Sequence, residues 1–263
     1  MKVALAQLNP ASDVARDSDT AGAVIDSLPG TDLILFPELF LGGYDTEDPG
    51  SHAARPDGPE LATVGAACAR AGAAAVIGFT EPLGEGRFAN SAACFERDGS
   101  LAGVYRKTHL FGAAERATFA AGDSMNVVRL ADHRVGPQIC FDVEFPEPSR
   151  LMAVSGADLL ATISANMTPY AADHRLAARA RALDNRLHHL YVNRIGHESG
   201  FDFVGESCVI DPTGTVVAEL GTDEGILEHE LEDVSVGVDS AYLDHIHPRL
   251  NVIVQDNANG GEV

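Results

Sequence analysis

The chain has 263 residues, 45% of them hydrophobic, and a formal charge of −21 at pH 7. That charge leaves no basic stripe to neutralise phosphates, which argues against a nucleic-acid partner, and it disfavours acidic substrates. No apolar run approaches the roughly 20 residues needed to span a bilayer, so no membrane partner is expected either.

In chain order, residues 3–8 read as a short apolar strand with no signal-peptide core, so a cytoplasmic protein is expected. A helix-like stretch over 12–28 follows, then a strand over 33–36 that ends in Pro37-Glu38. Pro59–Ala71 has a helical pattern and 74–79 that of a strand. Asp98-Gly99, within 96–100, signals a hairpin. The strand 135–140 ends in Cys140, and alternation continues with a helix over 146–156 and a strand over 159–164. A helix over 171–188 carries arginines along an exposed face, and a last strand is expected over 190–195. Pro-Thr-Gly within 211–215 marks a second hairpin. Such a chain is mixed α/β, with part of its sheet antiparallel. Two sheets face to face with helices outside would bury every strand on both sides, as continuous apolar runs require. The length fits one domain over 1–263, with residues from about 247 as a C-terminal tail.

The basic residues are sixteen arginines and two lysines. The lysine beyond the N-terminus, Lys107, sits in Val-Tyr-Arg-Lys-Thr-His-Leu-Phe, a mostly apolar setting. There a compact ammonium can act as a point charge in a way that arginine cannot. Alternatively its stem covers apolar surface, the commonest use of lysine. Glu38 follows four apolar residues and a proline, and burial there would raise its pKa and make it a usable base. It could equally reach solvent through the Gly42-Gly43 loop. Cys140 stands at a strand-to-helix turn. Unpaired N–H groups at the helix start would favour a thiolate, and the N–H of Phe141 could receive an oxyanion. Cys68, Cys94 and Cys208 read as small core hydrophobes, and all four cysteines as reduced thiols. Glu115 is either a second carboxylate near such a site or an early helix residue. His109 reads as a brace for its loop. His188, His189, His245 and His247 lack ligand partners at metal-site spacing, so neither a metal nor another cofactor is expected. The acidic surface is either a plain solvated shell or an adaptation to high salt.

Three motifs in order join these residues: Phe-Pro-Glu ending at Glu38, Tyr-Arg-Lys-Thr-His-Leu-Phe around Lys107, and Ile-Cys-Phe-Asp at Cys140 with a second Phe-Pro-Glu after it. Together they resemble the nitrilase, or carbon–nitrogen hydrolase, superfamily. Ser164-Ala165-Asn166, the run ending at Arg186, and Asn193-Arg194 leading to Gly205-Glu206-Ser207 extend the likeness over nearly the whole chain. The resemblance implies a four-layer α-β-β-α sandwich, paired into a homodimer or higher homo-oligomer. It also implies a Glu38–Lys107–Cys140 triad, supported by Glu115 and by the backbone N–H of Phe141 as oxyanion donor.

Relatives that act on carboxylate-bearing substrates often carry an arginine in the turn after the nucleophile, where this chain has Glu144. Neutral or cationic carboxamides, small and aliphatic, are therefore the expected substrates, with Glu144 and Asn166 as candidate binding residues. Glu144 could instead point away and cap a helix. The chain has Cys-Phe-Asp where nitrilases proper usually show Cys-Trp-Glu, and it contains no tryptophan. An amidase forming a cysteine thioester is thus expected ahead of an N-carbamoyl amidohydrolase and a nitrilase. A binding module that has lost turnover is the alternative from a different class.

Overall fold

The computed structural model describes residues 1–232 and 241–246, so the expected tail from about 247 lies outside the described residues. The first half of the chain supplies β1 (Lys2–Gln7), α1 (Val14–Asp26), β2 (Leu33–Leu35), α2 (Pro59–Ala71), β3 (Ala74–Gly84), β4 (Arg87–Phe95) and β5 (Leu101–Arg106). A short α3 (Gly112–Thr118) leads to β6 (Val128–Leu130), β7 (His133–Ile139), α4 (Pro146–Val154), β8 (Leu159–Ser164), α5 (Ala171–Asn185) and β9 (His188–Asn193). The hairpin β10 (Ile195–Glu198) and β11 (Phe201–Val204) precedes β12 (Cys208–Ile210), β13 (Val216–Glu219) and β14 (Gly225–Glu230).

Two six-stranded sheets result, in the orders β14-β1-β2-β3-β4-β5 and β13-β12-β9-β8-β7-β6. Each has a parallel centre, β1-β2-β3 in one and β7-β8-β9 in the other, flanked by antiparallel strands. The two expected hairpins are present, joining β4 to β5 and β12 to β13.

Alternation along each strand builds the layers, because successive side chains point to opposite faces. Val3, Leu5, Leu33 and Leu35 meet Ile139, Leu159, Ala161 and Ile163 between the two sheets. Ala4, Ala6, Ile34 and Phe36 face the other way, onto Ala21 and Ile25 of α1 and Leu61 and Val64 of α2. The outer face of the second sheet packs on α4 through Met152 and Leu160, and on α5 through Ala178, Ala182 and Tyr191. The order helix, sheet, sheet, helix is the four-layer sandwich expected.

Element limits differ from the sequence reading where caps intervene. Helix α1 starts at Val14 rather than 12, because the Asp13 side chain accepts from the Arg16 N–H as its N-cap. Helix α5 stops at Asn185 because Arg186 turns left-handed, at φ 55°. Residues 188 and 189 then open β9, which ends at Asn193. Strand β3 runs five residues beyond 79 because it pairs with β4 along its length. Among the described residues, no helix is long and apolar enough to cross a membrane.

Candidate active site

Parallel strands present their carboxyl ends on one edge, the usual place for a site in an α/β sheet. Glu38 follows β2, Cys140 follows β7, Ser164 ends β8 and Asn193 ends β9. The loop carrying Glu38 lies flat against β3. A Cβ added at Gly78 would stand 2.4 Å from the Leu39 nitrogen and 2.7 Å from the Glu38 Cα. Only glycine permits that approach. Leu39 then turns left-handed, at φ 48°.

The three reactive residues and Glu115 converge, with Glu38 and Lys107 fully buried side chains. The Lys107 ammonium donates to Glu38 Oε1 at 2.7 Å and to Glu115 Oε1 at 3.0 Å. Glu38 also accepts from Asn90 Nδ2 at 2.7 Å and from the Ala165 N–H at 2.8 Å. Glu115 accepts from the Tyr44 hydroxyl at 2.6 Å and the Phe111 N–H at 2.8 Å. It is therefore both a residue of the short helix α3 and a carboxylate of this cluster. Burial works against the Lys107 charge, but Glu115 and Glu38 outweigh it and hold the ammonium well above its usual range. Burial, set against Lys107 and reinforced by Glu38, raises the Glu115 carboxyl.

Cys140 itself is left-handed, at φ 46°, and begins a five-residue 3-10 turn, Cys140–Glu144. An early N–H of such a turn has no intrahelical partner, which leaves that of Phe141 available. The pull of this turn towards a thiolate is opposed here. Burial first, and then the nearby Glu38 carboxylate, push the Cys140 thiol well above its ordinary value, against the opposing pull of Lys107 and a hydrogen bond with Ser164. One short 3-10 turn offers too little dipole to offset burial beside a carboxylate. The resting sulfur is a thiol that needs a base. Burial likewise pushes Cys68, Cys94 and Cys208 up to about 12, and none of them lines this cleft.

Asp142 locks the turn. Its buried carboxylate accepts from the Ile139 N–H at 3.0 Å, the Tyr105 hydroxyl at 2.7 Å, the Thr108 hydroxyl at 2.9 Å and the His109 N–H at 2.9 Å. Burial would raise this carboxyl, yet the bonds from His109, Tyr105 and Ile139 hold it below the usual value. The Lys107 loop and the Cys140 turn are thereby tied to one anion. His109 braces that loop, bonding Asp142 and stacking on Phe145 with ring centres 4.1 Å apart.

A tight cleft opens over Cys140, lined by Phe111, Glu115, Phe141, Glu144, Asn166 and His174 among others. Every residue singled out for the site is thus at the cleft or directly behind it. Glu144 lies 3.3 Å from His174 Nε2 and does not cap α4, whose N-cap is Phe145. Asn166 is held by its own backbone, its N–H donating to Asn193 Oδ1 at 2.7 Å. The sequence reading missed Asn90, Tyr44, Asp142, Tyr191 and His174. Of these, Asp142 alone carried a local signal, as the acid two residues after the cysteine.

Residues 2–237 match the carbon–nitrogen hydrolase family model. An (R)-stereoselective amidase from Pseudomonas sp. is 39% identical over 233 residues, covering 85% of this chain and 82% of the relative. A CN-hydrolase superfamily protein from Xanthomonas campestris, solved with an arsenic adduct in its active site, superposes with a TM-score of 0.86 at 28% identity, covering 95% of this chain and 99% of the other. An amidase from Nesterenkonia sp., solved with acrylamide added to its active site cysteine, superposes with a TM-score of 0.81 at 26% identity, covering 93% and 96%.

Proposed function

The chain belongs to the carbon–nitrogen hydrolase family, and we propose that it hydrolyses small neutral or cationic carboxamides to a carboxylic acid and ammonia through a thioester on Cys140. The observation that carries this reading is the convergence of the Lys107 ammonium and the Glu38 and Glu115 carboxylates behind a cysteine at the base of a small cleft. A buried thiol beside a buried carboxylate is a nucleophile paired with its base.

Glu38 takes the thiol proton as Cys140 Sγ attacks the amide carbon. The developing oxyanion is held by Lys107 and the Phe141 N–H. Glu38 returns its proton to the departing nitrogen, and the carbon–nitrogen bond breaks to release ammonia. As a carboxylate again, Glu38 removes a proton from water, whose oxygen attacks the thioester carbonyl. The acid leaves as the thiol is restored. Glu115 holds Lys107 in register from the far side.

The cleft over Cys140 is tight, its free space of about 10 Å³ being close to what a single water needs, which favours a short acyl group. Glu115 and Glu144 on its walls disfavour a substrate anion. The amidase names of the Pseudomonas and Nesterenkonia relatives point the same way. We further propose self-association through the outer faces of α4 and α5, where Leu151, Val154, Leu176 and Leu183 are exposed.

The deciding experiment is an ammonia-release screen across short amides, N-carbamoyl compounds and nitriles, with Cys140→Ala as control. Turnover confined to amides is expected. Carbon dioxide release from carbamoyl compounds at a higher kcat/KM, or turnover of nitriles alone, would replace this reading. Absence of any turnover together with an inert Cys140 would leave a binding module.

A further inference from the structure

A second file of polar side chains reaches Cys140 from the strands beside it. Strands β7 and β8 pair in parallel with Ile139 opposite Ile163, so the next residue on each, Cys140 and Ser164, lie side by side. Strand β9 pairs Asn193 with Ser164, and α5 covers β9 from outside. This register lines up Ser164, Tyr191 and His174, which are 0%, 4% and 3% exposed.

The donors in this file can be counted. A serine hydroxyl has one proton to give and two lone pairs to fill. Ser164 Oγ accepts from the Tyr191 hydroxyl at 3.1 Å and, as the longer branch of a bond shared with Asn193, from the Asn166 N–H at 3.2 Å. What remains is its proton, and the residue beside it on the next strand is Cys140. Because Tyr191 spends its proton on Ser164, its oxygen accepts from His174 Nδ1, 2.9 Å away. His174 therefore carries a proton on Nδ1, and its Nε2 faces Glu144 Oε1 at 3.3 Å. These hydrogen bonds run one way, from the cleft wall to Ser164.

We propose that Ser164 is a further catalytic residue, donating a hydrogen bond to Cys140 Sγ as negative charge gathers there, and that Tyr191 and His174 are positioning residues that keep its hydroxyl turned to the sulfur. The inference rests on Cys140 being the nucleophile. It supplies what the Glu38 side cannot. Once Glu38 holds the thiol proton it is committed to the departing nitrogen, whereas a buried hydroxyl stabilises the charge on sulfur without itself gaining or losing a proton.

The test is the rate at which acrylamide alkylates Cys140 in the full chain, located by mass spectrometry, together with kcat and KM on an amide found in the screen. Ser164→Ala is expected to slow alkylation about tenfold, the effect of one hydrogen bond to charge, and to lower kcat while KM stays within about twofold. Tyr191→Phe should slow alkylation by a smaller factor. The double variant should be no slower than Ser164→Ala alone, because both substitutions act through the same proton. Wild-type alkylation in Ser164→Ala, or losses that multiply in the double variant, would overturn the relay while leaving Cys140 as the nucleophile. A wild-type Cys140 that resists acrylamide altogether would overturn the nucleophile, and the relay with it.

Discussion

Lys107 Nζ lies 2.7 Å from Glu38 Oε1, and neither side chain has exposed surface. Such a pair is costly to break from one side, since the surviving charge stays buried. The two halves are not equivalent. Lys107→Met leaves Glu38 and Glu115 facing each other without a cation, whereas Glu38→Gln leaves Lys107 paired with Glu115. Both variants should lose amide turnover by roughly 10³-fold or more. Urea denaturation should show Lys107→Met destabilised by about 3–5 kcal/mol and Glu38→Gln by clearly less. Equal losses would mean that Glu115 does not share the ammonium.

Cys140→Ala should abolish ammonia release and leave the circular dichroism spectrum and melting temperature close to wild type. The left-handed backbone at this position strains alanine as much as cysteine, because both carry a Cβ. Turnover near the wild-type rate would remove the thioester mechanism.

Glu144 offers a test of substrate charge. Glu144→Arg should raise kcat/KM for an amide bearing a second, ionised carboxylate by about tenfold relative to a neutral amide of equal length, the scale of reversing one partly exposed charge. An unchanged ratio would mean that Glu144 does not sense the substrate.

Gly78 is remote from the cysteine in sequence yet sets the position of the base. In Gly78→Ala the new methyl has to push on backbone at Pro37, Glu38 and Leu39, not on a flexible side-chain end. Reduced kcat and a lowered melting temperature are expected together, and a variant with wild-type values for both would show that the loop has room to move.

His189 provides a pH signature apart from the site. Its ring is buried, accepting from the Thr162 hydroxyl and donating to the Ala178 carbonyl, and burial lowers its pKa from 6.5 to about 4. Between those values the unfolded chain binds the proton and the folded chain does not, so stability falls as pH drops from about 6.5 towards 4. The fall integrates to roughly 3 kcal/mol. His189→Gln should lower stability at pH 7 and flatten that slope in denaturation curves taken across the interval. An undiminished slope would assign it to other groups.

Much of the architecture could be read along the chain, for a physical reason. Strands buried on both faces must be apolar throughout, so 33–36, 135–140 and 159–164 stood out, and the reactive residues at two of their ends stood out with them. Lys107 was conspicuous because lysine is scarce here. These are local properties of adjacent residues, and local pattern is what a linear sequence carries.

The partners of those residues were decided by register. Ser164 meets Cys140 because β7 and β8 pair with Ile139 opposite Ile163, and Tyr191 and His174 join them only once β9 and α5 are laid alongside. Asp142 gathers Tyr105, Thr108 and His109 from more than thirty positions away. The state of the Cys140 sulfur was decided in the same way. A turn read in isolation favours a thiolate, but the folded chain buries the sulfur beside Glu38, and desolvation next to a like charge keeps its proton in place. Which residues are reactive was thus written in their types and neighbours. What surrounds each one, and hence its protonation, depended on packing between segments that no local pattern connects.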